Sequence, residues 1–168
     1  ISWTEKMTDD HLRDLAKHGV KIFWIDHHRT AIRRYVAGTI AVPFTDKVIS
    51  EEFAASRLTY EYLRQKGGTT IPHNTPFVEF APVVAMADDT DRWIHAIPGS
   101  RELAWVIRAL GTDGSSLDGY QALLNIDAAV TYPPTMQRAY DKVAGEIQAS
   151  FALAERSRMS LQVAGTPY

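Results

Sequence analysis

Apolar residues recur along this chain with two different spacings. Behind Thr8-Asp9-Asp10, which supplies a capping hydroxyl and early acidic charge, Leu12, Leu15 and Ala16 fall at helical intervals. Gly19 is a natural helix stop, and residues 20–25 follow it at once, mostly apolar and rich in β-branched and aromatic side chains. That run predicts a strand buried on both faces, as in parallel sheets. A helix joined to a strand through one glycine is an α/β pattern. Residues 39–42 fit a second, shorter strand. Ser50 then caps a predicted helix over 51–66, closed by Gly67-Gly68.

Residues 69–76 carry two prolines and read as loop. Residues 77–87 fit a buried helix with Pro82 near its start or at a kink, while 83–87 alone fit a strand equally well. Ser100 caps a predicted helix over 101–110 that Gly111 ends, with Trp105, Ile107 and Leu110 on its packed face. A short helix is expected over 117–124. Pro133-Pro134 opens a long one reaching about residue 157, where the missing N–H of proline costs nothing.

Composition narrows the picture. The chain has 168 residues, 45% of them apolar, enough for one domain with a sizeable core. No tract is long enough to span a membrane, so no membrane partner is expected and a cytoplasmic location is. The net charge of -2 gives no bulk attraction to nucleic acid. There are no cysteines, so a metal would be held by His, Asp, Glu or water. The opening "ISWTEKM" and the closing "LQVAGTPY" suggest a piece of a longer protein.

Candidate chemistry sits where apolar runs stop. "KIFWIDHHRTAIRR" ends a predicted strand in Asp26, His27 and His28, and ligands in open α/β sheets gather at the carboxyl ends of strands. A turn there would let an imidazole and the carboxylate converge, a donor pair suited to manganese. The plain alternative is a polar loop with solvated histidines. "VVAMADDTDRW" ends a second apolar run in Asp88, Asp89 and Asp91, whose mutual repulsion a cation could relieve. Helix capping explains such acids equally well. Arg29 and Arg92 could each meet a phosphate, although a solvated face (Arg29, with Arg33 and Arg34) and an ion pair with Asp88 (Arg92) are simpler roles. Trp93 is expected to pack under the site, and His11, His18, His73 and His95 to lie at the surface.

"WIDHHRTA" resembles the signature of the DHH phosphoesterase superfamily. "ADDTDRW" is similar to the later aspartate motif of its exopolyphosphatase-related branch, and "SEEFAASRLTYEYL" sits where that branch carries a helix. The resemblance covers roughly residues 1–110. It implies an α/β fold, a parallel sheet flanked by helices and helix-rich, forming an incomplete DHH-type catalytic domain. It also implies two divalent metals, usually manganese with magnesium as the alternative, that activate water for attack on phosphorus. Carried onto this sequence, His27 would be a metal ligand, Asp26 its support, and His28 the group facing phosphate or leaving group. Asp89 would be the foremost acidic ligand, ahead of Asp88 and Asp91, so the ends bearing His27 and Asp89 should meet.

The superfamily's earlier His/Asp-rich motif has no counterpart here, nor does its metal-bridging Asp before the DHH strand. The chain by itself should therefore bind metal poorly. The expected layout is a partial catalytic domain over 1–132, a linker helix over 133–160, and the start of a second domain over 161–168. The expected activity is metal-dependent hydrolysis of phosphoester or phosphoanhydride bonds in a phosphorylated small molecule, a short oligonucleotide or polyphosphate. A degenerate, non-catalytic nucleotide-binding or regulatory module is the alternative, and homo-oligomerisation stays open.

Overall fold

A computed structural model describes residues 6–66, 77–111, 118–127, 129–158, 162–163 and 166–167. These form a helix-rich α/β arrangement with a small parallel sheet. Helix α1 (Lys6–Lys17) ends as the chain pattern requires. Gly19 takes φ +82°, the Gly19 amide bonds to the Ala16 carbonyl and the Val20 amide to that of Leu15. This closing double hydrogen bond needs a left-handed residue, which glycine adopts without a Cβ clash.

Strand β1 (Phe23–Asp26) leads through His27-His28 into α2 (Arg29–Val36), and β2 (Asp46–Ile49) returns parallel to β1, with Asp26 opposite Ile49. The second strand thus lies after residues 39–42, not over them. Pro43 interrupts any ladder there, while Ile40 and Val42 still reach the core. Hydrogen bonds from the Thr45 amide to the Ile22 carbonyl and from Ser50 to Asp26 extend the pairing at both ends.

The core lies on one face of this pair. Ile22, Trp24, Ala31, Ile40 and Val42 are buried there, with Leu12, Ala16, Tyr35, Phe44 and Ile49 packed around them. The Trp24 ring stacks on Phe44 at 5.0 Å and meets the edge of Tyr35 at 5.4 Å. The opposite face is only half-covered: Phe23 stays 53% exposed beside Tyr62. The expectation of burial on both faces therefore gives way to alternation, since neighbouring strand residues point to opposite sides.

Helix α3 (Ala55–Gln65) starts later than its sequence pattern suggested: the Ser50 hydroxyl accepts the Glu52 amide in a local turn, and the helix begins after Ala54. It packs against both strands and against α4 (Ala81–Asp91). A 3₁₀ turn (Phe77–Phe80) leads into α4, where Pro82 occupies the first turn. The open choice over residues 83–87 resolves to helix. Residues 67–76, including His73 and the predicted loop, lie outside the described residues, as does the start of the helix expected at 117.

The chain groups into two compact units, residues 1–101 with 127–130 and residues 102–126 with 131–168. The second unit holds most of α5 (Ser100–Leu110), α6 (Asp118–Leu124) and α7 (Pro134–Arg156). On α5, Leu103 and Val106 are the buried apolar residues, whereas Trp105, Ile107 and Leu110 are only half-buried, so the packed face is turned from the expected one. Helix α7 opens on Pro134 as predicted and buries Met136 fully. Residues 162–163 pair antiparallel with 166–167.

Candidate functional site

The turn after β1 is organised by one carboxylate. Asp26 Oδ1 accepts the backbone amides of His27 at 2.8 Å and His28 at 3.0 Å, and the Trp24 indole donates to Oδ2 at 3.3 Å. These amides open the approach to α2, whose N-cap, His28, makes no side-chain capping bond. Asp26 instead satisfies the amides of the two residues that lead into the helix. It also accepts from His28 Nδ1 at 2.7 Å. Burial opposes its charge, but the His28 amide and ring and the Trp24 indole outweigh burial and hold its carboxyl below the usual range. An ionised carboxylate can only accept, so Nδ1 of His28 carries the proton and Nε2 is left to face other groups.

His27 is turned the other way. Its Nε2 lies 3.0 Å from Asp91 Oδ2, at the end of α4, and the two imidazole rings lie 4.5 Å apart. The end of β1 and the acidic motif therefore do meet, but through Asp91 and at a helix end. Each helical step turns the side chain by about 100°, so Asp89 is directed away from Asp88 and Asp91, which lie one turn apart on neighbouring faces.

Asp88, buried, accepts the Ala54 amide at 2.6 Å and so caps the entry to α3, whose own N-cap residue is an alanine. Arg57 and Arg92 approach its other oxygen at 3.5 and 3.6 Å. Asp89, also buried, accepts the amides of Ala96 at 2.9 Å and Ile97 at 3.2 Å and the Ser100 hydroxyl. Burial again opposes the charge, and the Ser100 hydroxyl, the two amides and His95 overcome it, lowering the Asp89 pKa. Ser100 thus donates to Asp89 where a capping role was expected. Each of these acids thus has partners of its own.

Asp89 also shapes the segment after α4. Its carbonyl accepts the Ile94 amide at 3.0 Å, and both Trp93 (φ +57°) and His95 (φ +53°) are left-handed. Trp93 is 82% exposed, so it does not pack under the site. His95 is half-buried, with both ring nitrogens enclosed and without a hydrogen-bond partner among the described residues, unlike exposed His11 and His18. Arg29 reaches outward to Glu51 at 3.6 Å. Arg57, which carries no motif signal, stands beside Arg92 and was not foreseen.

A divalent ion fits His27 and Asp91 in part. Donors on adjacent corners of an octahedron, each about 2.1 Å from a metal, lie about 3 Å apart, close to the separation found. Two donors make an edge of such a site and no more: among the described residues no group of three His, Asp or Glu side chains could hold a metal.

No family model, no curated protein and no solved structure matches this chain.

Proposed function

We propose that the chain forms part of a DHH-type, metal-dependent phosphohydrolase acting on phosphoester or phosphoanhydride bonds. The observation that carries this reading is the 3.0 Å approach of His27 Nε2 to Asp91 Oδ2 at the carboxyl end of a parallel strand pair. On this reading His27 and Asp91 would hold a divalent ion, manganese or magnesium. When bound, such ions supply an activated water and neutralise charge at the phosphoryl group. Asp26 keeps the His28 ring oriented so that Nε2 faces a phosphate or leaving-group oxygen. Asp88 and Asp89 brace the helix end that presents Asp91. Small nucleotides, short oligonucleotides and polyphosphate are the substrates considered.

The test is manganese-dependent release of phosphate or nucleotide by the full-length protein. His27→Ala and Asp91→Ala are each expected to lower kcat at least 100-fold. Full activity in His27→Ala would reject the site. A second reading, a non-catalytic nucleotide-binding or regulatory module, is compatible with the lack of a three-donor cluster among the described residues. It predicts nucleotide binding without turnover at any manganese concentration.

A further inference from the structure

We propose that Arg57 and Arg92 form a subsite for a second, non-scissile phosphate of the substrate. The inference deepens the phosphohydrolase reading and rests on it for the meaning of "non-scissile". Both guanidinium groups approach a single oxygen, Asp88 Oδ2, at 3.5 and 3.6 Å. Both also sit by one aromatic ring, with the Arg57 guanidinium 3.9 Å and that of Arg92 6.0 Å from the Phe53 centroid.

Two cations held by one carboxylate leave a net positive charge. The other Asp88 oxygen is taken by the Ala54 amide. Each guanidinium carries five N–H donors, and the approaches to Asp88 are longer than the roughly 2.8 Å of a full charge-assisted hydrogen bond. Among the described residues most of this donor capacity is therefore uncommitted. The Asp88 side chain is only 6% exposed, whereas those of Arg57 and Arg92 are 40% and 33% exposed, so both arginines are reachable from solvent while their counter-charge is buried. A stacked, forked pair of this kind matches the oxygens of a phosphate group, which a lysine would meet only as a point charge.

Position gives the pair its role. Arg92 directly follows Asp91, which faces His27. Phe53 lies three residues beyond Ser50, whose amide bonds to the Asp26 carbonyl. The two arginines thus sit on α3 and just past the end of α4, the helix whose last residue, Asp91, faces His27. A substrate with a diphosphate or two linked phosphates would span both places, while a simple monophosphate ester would occupy one. Both inorganic polyphosphate and nucleotides satisfy that chemistry.

The experiment is calorimetry on the full-length protein with inorganic pyrophosphate and with orthophosphate, alongside a separate titration with manganese. Arg57→Gln and Arg92→Gln should each weaken pyrophosphate binding tenfold or more and leave manganese binding unchanged, with Arg64→Gln, paired to Glu61, as a neutral control. Wild-type pyrophosphate affinity in both variants overturns the subsite, as does failure of the unmodified protein to prefer pyrophosphate over orthophosphate. If a variant does not fold, arginine-labelled wild-type protein decides: the Nε resonances of Arg57 and Arg92 must both shift with pyrophosphate, and unmoved resonances overturn the proposal. Manganese binding that survives His27→Ala rejects the parent reading alone, since pyrophosphate binding at the arginines is measured without metal. Parallel titrations with ADP and tripolyphosphate separate the nucleotide and inorganic sources.

Discussion

Single side chains decide what the acidic motif does. Asp88, Asp89 and Asp91 look interchangeable in the string "ADDTDRW", yet the first caps α3, the second pins residues 94–100 and the third faces His27. Their division of labour follows from helical rotation, which spacing alone reveals once the segment is known to be helix. Trp93 shows the opposite situation, an aromatic whose surroundings its neighbours in sequence do not disclose. Because it is 82% exposed and left-handed, Trp93→Asn should stay within about 1 kcal/mol of wild-type stability, asparagine tolerating that conformation. Chemical denaturation checks this; a loss of about 3 kcal/mol or more, the cost of emptying a packed aromatic site, would mean that the ring is buried.

Elements were legible to the extent that their ends are local. The α1 stop at Gly19 and the α7 start at Pro134 follow from residues whose own backbone preferences terminate or open a helix, while the choice left open at Pro82 was settled by the structure. Elements whose limits depend on distant partners were misplaced. β2 lies at 46–49 because its ladder is made with β1, and α3 starts at Ala55 because Asp88, far along the chain, caps it there. Gly19→Ala tests the local kind. No atom crowds the position, so the substitution should cost only the left-handed backbone penalty, about 1–2 kcal/mol, read as a lower denaturation midpoint with an unchanged slope.

At the scale of the whole molecule, acid stability joins the separate carboxylates into one behaviour. Asp26, Asp46 and Asp89 all have folded-state pKa values below the ordinary 3.8. The folded protein therefore resists protonation that the unfolded chain accepts, and the unfolded chain binds more protons in acid. The stability these groups contribute is fully present above pH 3.8 and is lost as pH falls through their lowered values. Urea midpoints should hold from pH 7 to about 5 and then fall steeply below 4. In Asp26→Asn the midpoint should be lower at pH 7 and the acid fall shallower, because one of the linked protons is gone.

The sequence by itself determined the helix-rich α/β character, the strand ending in Asp26-His27-His28, and the glycine and proline punctuation, since each depends on periodicity or on a residue's own φ preference. Only the tertiary structure decided which acid meets His27, which face of β1 is covered, and that Arg57 joins Arg92. Those facts depend on the relative placement of α3, α4 and the strands. Such placement is set by packing and long-range hydrogen bonds between residues that are far apart in the chain.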